Sequence, residues 1–423
     1  MTEKQQSSHV GFLRRSVIFL ILNLLYSVFE LLFNGVSVRL PADGYSTFWA
    51  LIRIFFIVTT PLISVQLVVS KEIASYGVLG EFGKRRYFIA RTFRYTALLA
   101  LAIILFGLCV SPVIAGFLRI ETFTPVILMF LGIGVYSLLP VLFGTIQGLK
   151  RFYALGIVQA AWGFLRFSFA FIIVMVVAGG LNMFLAGTIL VMAIVAILSF
   201  SIIRPVYGHK SVRIGTQEIM RSYRFILPVF VMVLCVMIMK NIDVVFAKRY
   251  FDTASASAYT TAALVGSAFF TLSGIFIVMF PLVSEEKTRG GNPIIFIFKS
   301  VGFVAVFSII GIVVAWVRPD VLMYIVTVGK YIPGSEPLIK LISVAIPPLS
   351  LVYIMSNYLL AKHQWKFIPL LLGGMILQVL FITFNHETPS NMLVGIIIAN
   401  SVTFLCILAY VFIEHRNTVK TAP

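Results

Sequence analysis

The sequence predicts an all-α integral membrane protein with about 12 transmembrane helices, arranged as two parallel six-helix lobes around a central cavity. Hydrophobic residues make up 60% of the 423 positions and charged residues only 11%, far less charge than a soluble surface needs. The apolar stretches are helix-length runs, unlike the short alternating strands of an outer-membrane barrel. Basic residues gather in alternate connections between these runs, which is typical of a multi-pass membrane protein.

Each apolar run of about 18 or more residues fits one membrane-spanning helix. The first run continues past Leu31 without a small-residue cleavage site, which indicates a retained helix and not a signal peptide. The predicted spans are Val17 to Val38, Thr47 to Val69, Thr92 to Ala115, Pro125 to Ile146, Ala154 to Ala178, Met183 to Ile203, Phe225 to Phe246, Tyr259 to Val283, Ser300 to Val317, Pro337 to Leu359, Phe367 to Phe384 and Met392 to Ile413.

The distribution of basic residues predicts the orientation in the membrane. Of the 33 Lys and Arg residues, 23 fall in connections on one side, 6 on the other side and 4 within the spans. By the positive-inside rule both termini are cytoplasmic, and the even number of spans agrees. Most of the net charge of +18 is then a topology signal, so nucleic acid is not an expected partner.

The two halves of the chain resemble each other weakly, which predicts an N-terminal lobe of residues 1–208 and a C-terminal lobe of residues 209–423. A shift of 210 places Arg14 on Arg224, and a shift of 214 places Tyr45 on Tyr259. The nearly constant offset indicates an internal duplication of six spans. Because six is even, both halves enter the membrane in the same direction, and transporters of that kind bind substrate between the halves.

Two charges in the first two spans stand at similar predicted depths. Glu30 follows the basic flank at Arg15 by about 22 Å of helix, and Arg53 follows Tyr45 by about 12 Å from the opposite side. A charge at membrane depth is costly and usually faces a partner or a polar cavity. Glu30 and Arg53 are therefore expected either to form a structural pair or to share a polar chamber that binds substrate.

Further charges within the spans favour an anionic substrate. Arg166 and Lys240 reach depths like that of Arg53, while Lys340 is close enough to the outer interface to snorkel. Four cations against two acids, Glu30 and Asp243, leave the predicted chamber at about +2. Arg53, Arg166 and Lys240 are the substrate-binding candidates. Glu30 and Asp243 are candidates for charge pairs or ion coupling, with Lys240 a possible partner of Asp243 one turn away.

The sequence offers no catalytic, metal or cofactor constellation, so neither an enzyme nor a cofactor is expected. It lacks a phosphate-binding glycine loop, its three cysteines sit singly in apolar runs, and its five histidines fall outside the spans. Prolines interrupt several spans and are expected to act as hinges or kinks. These are Pro61, Pro140, Pro228, Pro281 and the pair Pro347-Pro348.

Several short motifs resemble those of a known family, in the same order along the chain. The turn from Arg39 to Tyr45 and the stretch Val69-Ser70-Lys71-Glu72 look like the opening of the polysaccharide transporters, a branch of the multidrug/oligosaccharidyl-lipid/polysaccharide exporter superfamily. The stretch from Gly144 to Phe152 is similar to that branch's Gly-x-x-Gln-Gly-x-x-Arg-Phe motif. Asn241-Ile242-Asp243 resembles its Asn/Arg-x-Asp element, and Ala258-Tyr259 and Phe280-Pro281 follow in order.

The resemblance implies a flippase that translocates a polyprenyl-diphosphate-linked oligosaccharide across the bacterial cytoplasmic membrane. Its partners would be that anionic lipid-linked sugar, membrane lipids and the polysaccharide polymerase machinery. At 423 residues the chain leaves no room for the two extra helices of the lipid II flippases. This favours an O-antigen, capsule or exopolysaccharide repeat unit over the peptidoglycan precursor.

Two alternatives remain open at this point. A cation-coupled drug or metabolite exporter of the same superfamily would be expected to have an acid-dominated cavity. An integral membrane enzyme that transfers or polymerises sugars would need acids or histidines on a sizeable outer loop, and the longest such connection, Arg318 to Glu336, holds only Asp320 and Glu336.

Overall fold

A computed structural model describes residues 21–215, 217, 226–271, 294–362 and 364–421. All regular secondary structure in those ranges is helical, as expected where lipid leaves backbone groups no other hydrogen-bond partners. The chain divides into two compact units, Met1–Leu227 and Pro228–Pro423. The all-α membrane fold is thus confirmed, while the lobe boundary after residue 208 stays a prediction.

In the first unit, the described residues form six apolar helices, and each predicted span of the first half overlaps one of them. The helices are α1 (Ile21–Ser37), α2 (Ala42–Val78), α3 (Phe82–Phe117), α4 (Thr124–Gly148), α5 (Phe152–Val176) and α6 (Leu181–Gly208). The last residues of α5, Ile172–Val176, form a π-helical turn.

In the second unit the described helices again follow the predicted order. They are α7 (Ile226–Tyr250), α8 (Thr253–Thr271), α9 (Ile294–Val317), α10 (Pro319–Thr327), α11 (Ser335–Ala361), α12 (Ile368–Phe384) and α13 (Pro389–Thr421). The short α10 lies in the connection that the sequence analysis left between two spans. The eighth predicted span continues past α8 into residues outside the described ranges.

Within the described ranges, nine helices are long and apolar enough to cross a membrane, and α1 and α12 are shorter apolar helices. Only 17% of the apolar window of α3 and 22% of that of α9 is buried within the protein. Exposed apolar surface of this extent suits contact with lipid and not with water. The chain is therefore a multi-pass membrane protein.

The prolines affect their helices to different degrees. Pro61 lies in a 3-10 turn, Thr60–Leu62, that divides α2, and Pro140 stands in the first turn of the segment Leu139–Gly148 of α4. The pair Pro347 and Pro348 lies inside a continuous α11. Pro228 falls in the first turn of α7, and Pro281 lies outside the described residues.

The glycine motif at the end of α4 has a packing role. A Cβ added to Gly144 would lie 2.6 Å from the carbonyl oxygen of Gln66, and one added to Gly148 would lie 2.7 Å from that of Ser70. Gln147, between these glycines, accepts a hydrogen bond of 3.1 Å from the side chain of Gln66. The second half of α2 thus contacts α4 backbone to backbone, which only residues without a side chain allow.

Candidate functional site

An ion pair joins α1 to α5 within the apolar part of the first unit. Nη1 of Arg166 lies 2.8 Å from Oε1 and 2.9 Å from Oε2 of Glu30. The arginine side chain is 6% exposed and that of Glu30 is 24% exposed. The sequence analysis considered Arg53 as the partner of Glu30, and the structure gives that role to Arg166. A residue count along a helix predicts depth, but depth does not specify which neighbouring helix a side chain faces.

Aromatic packing fixes the position of this pair. The guanidinium carbon of Arg166 lies 3.9 Å from the ring centre of Phe33, a cation–π contact that also shields the charge from lipid. At Gly163, one turn before Arg166, a Cβ would lie 3.0 Å from the ring of Tyr26. The close approach of α1 and α5 therefore holds the arginine in one place.

One face of α5 carries polar atoms that remain without a partner. Gln159, Trp162 and Arg166 are spaced three and four residues apart, which places them on the same side of a helix. Among the described residues, no hydrogen-bond partner meets Oε1 of Gln159, Nε1 of Trp162 or Nε of Arg166, although all three atoms are buried. A buried polar atom without a partner costs about 1 to 3 kcal/mol. The hydrogen-bonding capacity of these three atoms is therefore unused in this conformation.

Gln159 and Trp162 were missed by the sequence analysis, because it searched the spans for formal charges. The signal that would have found them is a run of hydrogen-bonding side chains at helical spacing within an otherwise apolar segment. That signal is weaker than a charge, since Gln and Trp are individually tolerated in membrane helices.

Arg53 is, with Arg166, one of the two buried arginines among the described residues of the first unit, at 2% exposure. Its guanidinium carbon lies 5.5 Å from the ring centre of Trp49. The Trp49 indole N–H donates a hydrogen bond of 3.1 Å to the hydroxyl of Ser37 at the end of α1, which ties α1 to α2. The middle of the spans in this unit thus holds two arginines and one glutamate.

Lys240 and Asp243 of α7 both contact α8 in the second unit. The Lys240 ammonium lies 4.4 Å from the ring centre of Phe270. The Asp243 side chain is 3% exposed and accepts a hydrogen bond of 3.0 Å from the hydroxyl of Tyr259. Tyr259 was noted in the sequence only as part of a motif, and the structure identifies it as a partner of the buried acid.

Uncharged polar side chains also join helices of the second unit. The Gln378 amide of α12 donates to the carbonyl oxygen of Met239 at 2.7 Å. The Asn400 amide of α13 donates to that of Ala345 at 2.8 Å, two residues before the proline pair of α11. These bonds hold α12 and α13 against the helices that carry Lys240 and the prolines.

No protein-family model matches the sequence, and no curated protein matches it either. Among solved structures, an inward-facing multidrug resistance MATE family transporter of the MOP superfamily matches with a TM-score of 0.78 and 11% identity, over 96% of this chain and 99% of that one. The fold is that of a MATE-like transporter with two lobes.

Two further solved structures show the range of proteins that share this fold. The lipid II flippase MurJ in an inward closed conformation matches with a TM-score of 0.69 and 12% identity, over 93% of this chain and 87% of that one. A MOP superfamily transporter from Pyrococcus furiosus, whose binding pocket has reverse polarity, matches with a TM-score of 0.61 and 14% identity over 95% and 94%. All three proteins are described as transporters or flippases.

Proposed function

We propose that this protein is a flippase that translocates a polyprenyl-diphosphate-linked oligosaccharide across the bacterial inner membrane for O-antigen, capsule or exopolysaccharide synthesis. The observation that supports it most is the charge balance in the middle of the first unit's spans. Two buried arginines, Arg53 and Arg166, stand there against a single acid, Glu30. A membrane-embedded cationic excess favours an anionic substrate over a cationic one.

The chemistry of arginine suits a diphosphate. Its planar guanidinium donates paired hydrogen bonds to phosphate oxygens and keeps its charge in a buried setting. Arg166 shares its charge with Glu30, and Arg53 is a second buried guanidinium in the same unit. The unpartnered atoms on the α5 face offer further hydrogen bonds, to the sugar hydroxyls or phosphates of the substrate.

The solved structures support transport but leave the substrate to be argued from the site. This fold serves multidrug transporters and a lipid II flippase. For the Pyrococcus furiosus transporter, reverse polarity of the binding pocket is taken to suggest a different function. By the same reasoning we infer a lipid-linked anion for this chain, with Arg53, Arg166 and Lys240 as substrate contacts and Glu30 and Asp243 as charge partners or ion-coupling groups.

A flipping assay with matched variants tests this proposal. Purified protein is placed in vesicles that contain a fluorescent polyprenyl-diphosphate-linked oligosaccharide, and the rate of its transfer between leaflets is measured. Arg53→Gln is expected to lower the rate by about tenfold or more, since a hydrogen bond to a charged group contributes about 1.5 to 3 kcal/mol. Lys340→Gln, which removes one cation near a helix end, is the control and is expected to change the rate by less than about twofold. A normal rate in Arg53→Gln would contradict the proposal.

A drug exporter is the second candidate function. The match to a multidrug resistance transporter, the partly buried acid Glu30 and the buried acid Asp243 favour it, because cationic drugs and coupling ions both need acids. Cells that lack other drug pumps and express this chain would then resist cationic drugs, and Asp243→Asn would abolish the resistance. Resistance together with no flipping of the lipid-linked sugar would favour the exporter over the flippase.

A further inference from the structure

A basic cavity lies in the first unit, where the first turns of α3 meet the segment that follows α6. We call residues 209–215 the connecting segment. The cavity has a volume of about 470 Å³. The residues that the argument uses from its lining are Tyr87, Arg91, Arg94, Tyr95, Ser211 and Arg213.

The helical spacing of α3 builds one wall of this cavity. Tyr87, Arg91 and Tyr95 are four residues apart and therefore share one face of the helix. The Arg91 guanidinium donates to the Tyr87 hydroxyl at 2.9 Å and to the Tyr95 hydroxyl at 3.2 Å. The two phenols hold this guanidinium in place, which lowers the entropy lost when it binds an anion.

The connecting segment builds the opposite wall and is fixed to α3. The Val212 N–H donates to the carbonyl oxygen of Gly83 at 3.1 Å, and a Cβ on Gly83 would lie 2.8 Å from the carbonyl oxygen of Lys210. Ile214 is 3% exposed and packs in an apolar cluster with residues of α2 and α3 such as Ile73. Arg213, between Val212 and Ile214, lines the cavity together with Tyr87. The cavity is therefore preformed.

The charge of the cavity is entirely positive. Arg91, Arg94 and Arg213 line it, and no acid is among the lining residues. Within the described ranges, the guanidinium of Arg94 makes no hydrogen bond or ion pair. The positive-inside rule accounts for basic residues on this side of the membrane. It does not account for three guanidinium groups that converge on one concave site, because like charges repel each other at short range unless an anion lies between them.

We propose that this cavity binds the phosphate of an anionic headgroup at the membrane surface that the sequence predicts to be cytoplasmic. The cavity lies where the long apolar part of α3 begins, at the cytoplasmic end of the predicted span Thr92 to Ala115. Tyrosines are enriched at this interface, and basic pockets on the cytoplasmic side bind anionic headgroups. The inference does not depend on the flippase proposal, since it concerns a different site on the same unit.

The test uses the full-length protein in detergent and three probes: a short-chain phosphatidylglycerol, a short-chain phosphatidylcholine and inorganic phosphate. Arg94→Gln with Arg213→Gln is compared with the control Lys150→Gln with Arg204→Gln, which removes two cations from the same predicted side outside the cavity. We expect phosphatidylglycerol to bind more tightly than phosphatidylcholine. The cavity variant should lose about tenfold or more in affinity and the control less than about twofold.

Each outcome decides between the possibilities. Cavity-dependent binding of phosphatidylglycerol alone supports a lipid headgroup, and cavity-dependent binding of inorganic phosphate supports a soluble phosphate compound at the same site. Equal loss of affinity in the cavity and control variants would overturn the proposal, as would the absence of binding to all probes. Arg94→Gln alone, at an exposed position without a side-chain partner in the described residues, keeps the test valid if the double variant fails to fold.

Discussion

Arg166 and Glu30 are 136 residues apart in sequence, and a single nitrogen of the arginine, Nη1, donates to both oxygens of the glutamate, at 2.8 and 2.9 Å. The pair ties α5 to α1 inside an apolar unit. Because the arginine is nearly inaccessible, loss of the glutamate would leave a charge in a low-dielectric environment without its counter-charge.

The first prediction follows from this pair. Glu30→Gln is expected to lower the free energy of unfolding by about 2 to 3 kcal/mol, somewhat below the value for a fully buried pair. The exchange Glu30→Arg with Arg166→Glu keeps both charges and should restore most of the loss. Thermal unfolding in detergent measures the effect. The matched control is Glu81→Gln, whose pair with Lys84 is about one-third exposed and should contribute less than about 1 kcal/mol. Equal shifts for Glu30→Gln and Glu81→Gln would show that burial of the pair does not matter.

The second prediction concerns the glycine contact between α2 and α4. Gly148→Ala places a methyl group 2.7 Å from the carbonyl oxygen of Ser70, so the helices must separate and the melting temperature should fall. Overpacking of this kind typically costs about 1 to 3 kcal/mol. Gly116→Ala is the control, because its Cβ would meet no atom within 4 Å, and alanine is the better helix former. A stability loss in Gly116→Ala as large as in Gly148→Ala would argue against the packing explanation.

The third prediction concerns membrane topology and rests on the asymmetry of basic residues. A reporter placed after Arg213 should be cytoplasmic, and one placed between Asp320 and Tyr331 should be external. Paired fusions of a phosphatase, active outside, and a fluorescent protein, active inside, measure both positions. Three spans are predicted between the two positions, so reporters in opposite compartments are expected. If both reporters give the same compartment, the number of spans between them is even and the predicted count is wrong by one.

The fourth prediction concerns pH and the start of α8. The Asp252 carboxylate accepts hydrogen bonds from the N–H groups of Ala254 at 3.0 Å and Ser255 at 3.3 Å. Hydrogen bonding by the Ser255 side chain is the main cause that lowers the pKa of Asp252 below its usual value. A lowered folded-state pKa means that this stabilisation is complete above the unfolded-state pKa and is lost as the pH falls through the folded-state pKa.

Asp252→Ala should therefore lower the free energy of unfolding by about 1 kcal/mol near neutral pH, with a smaller effect in acid. Asp252→Asn keeps a capping oxygen and should retain most of the stability at neutral pH while removing the pH-dependent part. Melting temperatures recorded from pH 7 down to pH 3 measure both effects. If the loss of stability caused by Asp252→Ala is as large in acid as at neutral pH, the capping explanation is contradicted.

The fold was largely predictable from the sequence, because the bilayer restricts a spanning segment to a helix of sufficient apolar length. Each predicted span overlaps a helix of the structure, even for α1 and α12, which are short. The proline effects were less predictable. Pro61 lies in a 3-10 turn of α2, whereas Pro347 and Pro348 leave α11 continuous.

The charge partners were only partly predictable. The depths of Glu30, Arg53 and Arg166 followed from residue counts, but the direction of each side chain depends on how its helix is rotated against its neighbours. Helix rotation cannot be read from the sequence without tertiary contacts. The sequence analysis therefore paired Glu30 with Arg53, whereas in the structure Glu30 contacts Arg166. Uncharged groups such as Gln378 and Tyr259 were missed as partners because their polar atoms give little signal in an apolar run.

The backbone contact at Gly144 and Gly148 makes the second half of α2 and the end of α4 a single rigid body. Lys71 and Lys150 are exposed residues that follow this contact on the two helices. Spin labels attached at these positions should keep one narrow distance distribution whatever ligand the protein binds. The pair therefore serves as an internal reference, and a distance that broadens or shifts elsewhere in the molecule can be assigned to a conformational change.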